Sequence, residues 1–295
     1  MSSDNPAIEK EVIQSHFWQE VAETDNPFAA AICRCAGYDV YGDLLGKVSW
    51  IEYLYLLFHG EQPNPQQAQL LNALAVALAN PGPRDCSVQA AMSAGAGGST
   101  LASSLMAALA VGAGNLGGAR EVYETMILWE KCSRQLLSWK DALSQWRNTD
   151  RQPEAMTSVW PSLEHPPGYD PNGLSCTTPV RKTLEYLAQF ECSCNLRWLR
   201  EQRGQLEEFA QLPLAFSGIA AAALTDLKFD PQQGEMLYLL LRLPGAAAHA
   251  LEQNWLGCQT FPFFRQGINL TNDPGPAAAK SGSDVCPGSA PSKRL

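Results

Sequence analysis

Apolar residues recur along most of this chain at intervals of three and four positions, the spacing that places them on one face of an α-helix. Residues 50–58 and 66–78 show the pattern most clearly. No segment shows a convincing two-residue alternation of the kind that predicts a β-strand, and there is no internal repeat. The pattern predicts an all-α fold. The predicted helices cover residues 8–24, 28–36, 50–58, 66–78, 121–129, 135–146, 178–190, 195–209, 213–227, 232–243 and 246–255.

The strongest of these helices covers residues 232–243 and is apolar almost all round, so we expect it to be buried. Pro244 and Gly245 follow it and either kink the helix or restart it. If the helix is only kinked, Arg242 and His249, which are seven positions apart, face the same way. A charged side chain in such an apolar helix must find a partner, because an unpaired buried charge is costly.

The most unusual stretch lies between residues 93 and 122 and is rich in glycine and alanine. Helical small residues lead into a turn at Gly117 and Gly118, and a second helix is predicted to begin at or near Arg120. Glycine adopts backbone conformations closed to other residues and lets a ligand approach the main chain. Free N–H groups at a helix N-terminus can bind an anion. We therefore expect the functional site at this turn.

Composition excludes several classes of function. The 295 residues carry a net charge of −9 without a large basic cluster, so nucleic-acid binding is not expected. No apolar run is long enough to cross a membrane, and the polar N-terminal residues lack a signal-peptide pattern, which predicts a soluble, cytoplasmic protein. The nine cysteines are expected to be reduced. Their two Cys-x-Cys pairs lack the spacing of zinc sites, so no bound metal is expected.

Four segments of the chain carry motifs in a definite order. Residues 37–61 hold a Gly-Tyr turn and an aromatic helix ending in Gly-Glu-Gln-Pro. Residues 114–122 resemble the motif Gly-Pro-Leu-His-Gly-Gly-Ala-Asn-Glu, and residues 164–171 resemble the motif Gly-His-Pro followed by Asp-Pro-Arg. Residues 242–253 resemble the motif Arg-x-x-Gly-x-x-Ala-His-x-x-Glu-Gln. In this order the four segments resemble the citrate synthase family over roughly residues 25–265, and the short chain is similar to its compact, citryl-CoA lyase-like branch.

The resemblance implies an all-helical homodimer with a large and a small domain and an active site in the cleft between them. By this resemblance the large domain comprises residues 1–118 and 218–275, and the small domain residues 119–217. The composition of residues 276–295 predicts a disordered tail. The implied reaction is a Claisen condensation of an acyl-CoA with a small 2-oxo acid, or the reverse cleavage of a citryl-CoA-type tricarboxylic acid thioester. The coenzyme A ester is then a substrate, and no cofactor is bound permanently.

Such chemistry needs a carboxylate base, a donor to the thioester oxygen, a donor to the ketone oxygen and arginines for the acid's carboxylates. The resemblance assigns a catalytic role to His165. It implies contacts with the acid substrate for Arg242 and His249, and Arg84 is a candidate replacement anchor for an anion. The CoA-binding turn corresponds to Gly117, Gly118, Ala119 and Arg120.

Two catalytic positions depart from the family pattern. Leu116 stands where the glycine motif has histidine, and leucine cannot donate a hydrogen bond to an enolate. Ser217 or Ala215 falls where the family has its aspartate base, and neither is a carboxylate. The candidate replacement carboxylates are Glu121, Glu164, Asp170 and Asp226.

Three hypotheses remain open on the sequence. The chain is a citrate synthase or citryl-CoA lyase-type enzyme with a rearranged catalytic set, or a related enzyme for a different acyl-CoA or 2-oxo acid, with Leu116 lining an apolar acyl pocket. Alternatively, it is a catalytically inactive paralogue that acts as a binding or partner subunit. The partner of Arg242 also stays open: it is either a substrate carboxylate or a structural acid such as Glu235 or Asp226.

Overall fold

The computed structural model describes residues 15–148 and 165–261. These residues are mostly helical, which confirms the predicted all-α fold class. The helices, numbered in chain order, are α1 Trp50–His59, α2 Pro65–Leu78, α3 Cys86–Ala96, α4 Leu101–Gly112, α5 Ala119–Cys132, α6 Leu136–Asn148, α7 Thr178–Leu187, α8 Cys194–Ala210, α9 Phe216–Asp226 and α10 Pro231–Leu256. No helix of this described part is both long enough and apolar enough to cross a membrane.

A small antiparallel sheet precedes the helices and corrects the sequence prediction. Its strands are β1 Trp18–Ala22, β2 Ala30–Cys35 and β3 Tyr38–Asp39, paired in that order. The predicted helix over residues 28–36 is wrong, and so is the described part of the one over residues 8–24, whose first residues lie outside the description. Strand β1 is largely exposed and β2 is mostly half-buried, so their apolar spacing does not report burial against a helix core. The tight hairpin turns decide the conformation instead.

Several helices begin where their capping residues predict. Ser49 and Glu52 form a reciprocal capping box at the start of α1. Asp230 and Gln233 do the same for α10, which starts with a proline in its first turn. Because these hydrogen bonds are local in sequence, the residues around the helix starts are enough to predict them.

The main apolar core surrounds α9. Residues 217–224 of this helix are almost completely buried, and most of them are alanine or glycine, so neighbouring backbones approach closely. The core extends over α2 and α5–α8 to a cluster of Trp129, Trp139 and Trp198 with ring centroids 4.9–6.2 Å apart. These contacts fix the start of α9 against the middle of the fold.

The last helix runs unbroken through its proline. Gly245 donates its N–H to the carbonyl oxygen of Ala79 at 2.7 Å, outside the helix. A Cβ at Gly245 would lie 2.5 Å from that same oxygen, so glycine is needed for the approach. The N–H of Gly245, which follows the proline, therefore finds its acceptor in the loop at Ala79 instead of in the helix. This hydrogen bond helps the helix to accommodate the proline. Arg242 and His249 consequently lie on one helix, which agrees with the alternative in which Pro244 does not restart the helix.

A second, thinner core lies where α3, α4 and α10 meet. Its buried apolar residues are small: Val88, Ala91, Ala108, Ala246 and Ala250. The larger core draws on residues from both of the predicted domains. The division at residues 118 and 218 stays a prediction, and the predicted tail at residues 276–295 lies outside the described residues.

Candidate functional site

The turn of residues 114–118 joins α4 to α5 and requires glycine at two of its positions. Gly117 has φ +62°, a left-handed conformation that favours glycine. A Cβ on Gly118 would overlap the carbonyl oxygen of Gly114 and lie 2.8 Å from that of Gly112. The glycines thus serve a close approach of main chain to main chain, and they place the N-terminus of α5 beside the buried end of α9.

Glu121 is the centre of the site. It lies in the first turn of α5 with only 1% of its surface exposed. Its Oε2 accepts a hydrogen bond from the N–H of Gly117 at 2.6 Å, and its Oε1 accepts from the N–H of Gly168 at 2.9 Å and from the hydroxyl of Ser217 at 2.7 Å. A carboxylate at this position also complements the helix dipole. The anion predicted at this helix N-terminus is therefore supplied by the chain itself.

His165 lies against this carboxylate. The side chain is 7% exposed, and its Nε2 is 3.7 Å from Oε2 of Glu121, too far for a hydrogen bond. The Nε2 atom is buried and has no hydrogen-bond partner within residues 15–148 and 165–261. Native proteins hold few buried polar atoms in this state, and each one needs a physical explanation.

The loop that carries His165 is tied to the start of α9. Gly168, with φ +88°, accepts a hydrogen bond from the N–H of Ala215 at 3.0 Å, and Asp170 donates its N–H to the carbonyl of Pro213 at 2.8 Å. Tyr169 and Leu214 form an antiparallel bridge between these hydrogen bonds. The loop, Glu121 and Ser217 are thus held as one unit.

A second carboxylate, the partly buried one of Asp85, pairs with Arg242. The guanidinium is 6% exposed, forms an ion pair with Asp85 and donates to the carbonyl oxygen of Gly117 at 3.0 Å. It also lies over the ring of Tyr238, 4.7 Å from its centroid, and the Tyr238 hydroxyl donates to the same carbonyl at 3.2 Å. Burial raises the pKa of Tyr238 to about 12, so this hydroxyl stays protonated. Arg242 therefore holds the glycine turn through the carbonyl oxygen of Gly117, whereas Glu121 holds it through the N–H of the same residue.

The remaining predicted contacts lie around this centre. His249 contacts the amide oxygen of Asn80 at 3.1 Å and Glu252 at 3.2 Å. Arg120 pairs with Glu124 at 2.6 Å, and Ala119 is buried in the core. Both Arg84 and Leu116 are exposed. Substrate and CoA contacts of these residues stay predictions.

The comparisons show what the fold resembles. No protein-family model matches the chain, and no curated protein matches its sequence significantly. The structure of citryl-CoA lyase from Hydrogenobacter thermophilus matches with a TM-score of 0.67 over 91% of this chain and 98% of that one, at 18% identity. ATP citrate lyase from Methanothrix soehngenii, in complex with citrate and coenzyme A, matches with a TM-score of 0.64 at 15% identity, over 89% of this chain and 43% of that one.

Citrate synthase from Thermotoga maritima matches with a TM-score of 0.55 at 15% identity, over 78% of this chain and 60% of that chain. The chain has a citrate synthase-like all-α fold. At these identities the likeness establishes the fold alone. The roles of individual residues in the citrate synthase-like scaffold must therefore come from this chain's own geometry.

Of the four carboxylates proposed as replacements, Glu121 is the one that the structure brings to His165. Asp170 accepts a hydrogen bond from the N–H of Asn172 at 2.9 Å and so stabilises its own loop. Asp226 caps α8 by accepting from the N–H groups of Asn195 and Leu196. Glu164 lies outside the described residues.

Two residues of the site were missed by the sequence analysis. Asp85 is the acid that pairs with Arg242, which corrects the prediction of Glu235 or Asp226 as the structural partner. Tyr238 is the second donor to the glycine turn. The one local signal is that Asp85 directly precedes α3 as its N-cap, which explains its presence there but not its pairing.

The buried carboxyl of Asp226 makes a pH-dependent contribution to stability that can be measured. Burial raises its pKa from the ordinary 3.8 to about 6, although two N–H donors act in the opposite direction. The stability that protonation provides is thus complete below about pH 4 and lost as the pH rises through about 6. We expect Asp226→Asn to remove about 2 kcal/mol of this dependence between pH 4 and pH 7, because an amide does not titrate in this range. Urea unfolding at several pH values measures the effect; unchanged pH dependence would contradict the assignment.

Proposed function

We propose that this chain is a citrate synthase-like enzyme that forms or cleaves a carbon–carbon bond between an acyl-CoA and a 2-oxo acid. The citrate synthase-like fold supports the general class, since citryl-CoA lyase, ATP citrate lyase and citrate synthase share it. The observation that carries the proposal is the buried, unpartnered Nε2 of His165 beside the carboxylate of Glu121.

The unpartnered nitrogen is best explained by a ligand oxygen that it contacts. Leaving a buried donor or acceptor unsatisfied costs about 1–3 kcal/mol. The surrounding loop is rigidly tied by backbone hydrogen bonds, so the imidazole does not gain a partner by a small rotation of the main chain. A substrate oxygen at hydrogen-bond distance from Nε2 would recover this cost on binding.

The implied reaction assigns a role to each member of the centre. In the condensation, a carboxylate base takes a proton from the α-carbon of the acyl thioester, and the electron pair of that C–H bond forms the new carbon–carbon bond at the ketone carbon. The ketone oxygen takes up one proton and becomes a hydroxyl, so the protons balance. The cleavage runs through the same steps in reverse. His165 hydrogen-bonds to this oxygen, and Glu121 offsets the charge that the imidazole gains when it holds a proton. Ser217 and the backbone of Gly168 keep the Glu121 carboxylate in place.

The test follows the CoA esters and 2-oxo acids by chromatography and mass spectrometry, because condensation and cleavage both leave the thioester bond intact. The purified chain is incubated with a panel of acyl-CoA esters and 2-oxo acids, and with citryl-CoA for the cleavage direction. We expect turnover of at least one substrate set, and we expect His165→Asn to lower it by roughly 10²–10⁴-fold. His16→Asn, at an exposed position, is the matched control and should retain full activity. Turnover that survives His165→Asn at the wild-type rate would contradict the assignment.

A non-catalytic binding or partner subunit is the second candidate. The observation that favours it is that two positive features of the site, the N-terminus of α5 and Arg242, are already neutralised by the chain's own carboxylates, Glu121 and Asp85. This candidate predicts binding of a CoA ester or an acid, measured by calorimetry, without turnover in any reaction of the panel.

We further propose that the chain forms a homodimer through α4. Residues 86–119 contain no charged residue, and the core beneath them is built of small side chains. The apolar side chains of Leu101, Met106 and Val111 are nevertheless exposed, Met106 to 67%. An uncharged helix surface of this kind is typical of an interface between subunits.

Met106→Lys should therefore shift the chain from dimer to monomer, because a charge would be desolvated at the interface. Leu137→Lys, at an equally exposed apolar position on α6, is the matched control and should leave the mass unchanged. Light scattering coupled to size-exclusion chromatography measures the mass of both variants. A monomeric wild type, or a dimer that is unaffected by Met106→Lys, would refute this interface.

A further inference from the structure

Arg242 has a carboxylate partner within the chain itself. Its guanidinium pairs with Asp85 on one side and donates to the carbonyl oxygen of Gly117 on the other. Gly117 in turn donates its N–H to Glu121. The glycine turn thus connects one arginine to two carboxylates, and the charge around it is net negative before any substrate binds.

The described residues leave little room for another carboxylate beside this arginine. The cavity that Arg242 lines measures about 10 Å³ and is bounded by Ser87 and by apolar side chains of α4 and α10. A space of that size holds about one water molecule. An additional carboxylate could contact the guanidinium only by displacing Asp85.

Asp85 performs two tasks with its two oxygen atoms. Oδ1 caps α3 by accepting from the N–H groups of Ser87 at 2.9 Å and Val88 at 3.3 Å, and Oδ2 faces Arg242. The Asp85 side chain is 19% exposed and Arg242 only 6%, so solvent reaches the pair from the side of Asp85. A serine or asparagine at this position keeps a capping oxygen while it removes the negative charge.

We propose that Asp85 is a specificity-determining residue: it occupies Arg242 as a built-in carboxylate, so that the site takes a 2-oxo acid with one carboxylate rather than two. This inference rests on the proposed function for the identity of the ligand. A second substrate carboxylate would have to displace Asp85 from the arginine, and like charges in a partly buried site repel strongly. A neutral or apolar substituent on the 2-oxo acid avoids this repulsion.

The test compares equilibrium binding of pyruvate and oxaloacetate, one and two carboxylates respectively, by calorimetry on the full chain without an acyl-CoA. We expect the wild type to prefer pyruvate. Asp85→Ser should tighten oxaloacetate binding at least tenfold relative to pyruvate, because it frees Arg242 and retains the helix cap. Asp85→Asn, which keeps the size of the side chain, should shift the preference in the same direction.

Asp230→Ser is the matched control. Asp230 is also an acidic N-cap, at the exposed start of α10, and its replacement should leave the preference between the two acids unchanged. The inference is wrong if the wild type prefers oxaloacetate, if neither acid binds, or if folded Asp85 variants keep the wild-type preference. Binding with the expected preference but without condensation or cleavage of any CoA ester in the panel would refute only the proposed activity.

Discussion

Glu121→Gln is expected to destabilise the folded chain by about 3 kcal/mol. The carboxylate accepts hydrogen bonds from two backbone N–H groups and one hydroxyl in a site with almost no access to solvent. Glutamine has a single acceptor oxygen, and its NH₂ group would face an N–H donor. At least one buried donor would lose its partner, at a cost of about 1–3 kcal/mol, and the charge-assisted strength of the others would be lost as well.

Urea unfolding of the variant measures this cost. Glu124→Gln is the control, because Glu124 lies one turn further along α5 and pairs with the partly exposed Arg120. Such an ion pair contributes roughly 0–1 kcal/mol. If the two variants lose similar stability, Glu121 is not the hydrogen-bonded centre described above.

Gly118→Ala is expected to have the second large effect, a loss of at least about 3 kcal/mol or failure to fold. The added Cβ would overlap the Gly114 carbonyl oxygen and crowd that of Gly112, and both are backbone atoms that cannot rotate away. The turn would have to open, which would move the N–H of Gly117 away from Glu121. Substrate binding should be lost together with stability.

Gly204→Ala provides the matched control for this substitution. Gly204 lies within α8, and a Cβ there would meet no atom within 4 Å. Alanine stabilises a helix interior relative to glycine by roughly 0.5–1 kcal/mol, so the control should gain stability. Thermal and urea unfolding measure both variants. A Gly118→Ala protein as stable as Gly204→Ala would show that the turn is looser than the structure indicates.

The sequence predicts most helices well because their signals are local. The capping boxes that start α1 and α10 involve residues three positions apart, and proline in the first turn marks where α10 begins. The strands β1 and β2 were missed because few of their side chains are buried. Their conformation depends on pairing across a hairpin, which the spacing of apolar residues does not report.

The candidate site was predictable only in part. The glycine turn and His165 could be found from the resemblance, and Glu121 could be named only as one of four carboxylates. Its donors Gly168 and Ser217 lie 47 and 96 positions away in the chain. The Arg242 pair spans 157 positions. Contacts over such separations are set by the packing of α9 and α10 on α5, and local sequence holds no signal for them.

One physical feature unites the site. The two places that could bind an anion, the N-terminus of α5 and the guanidinium of Arg242, each hold a carboxylate of the chain. The buried nitrogen of His165, by contrast, has no partner in the described part of the chain. The substrate contact that we propose in this centre is thus a hydrogen bond from the imidazole of His165, which favours an acid with fewer carboxylates.

Histidine ¹⁵N resonances, recorded while acyl-CoA and 2-oxo acid are added, would test this role of His165 most directly. The chain has four histidines, so the spectrum is simple, and His165→Asn assigns the signal. We predict that the Nε2 resonance of His165 shifts on ligand binding, while those of His16 and His59 stay in place. A His165 resonance that remains unchanged while a substrate binds or turns over would contradict the proposed site.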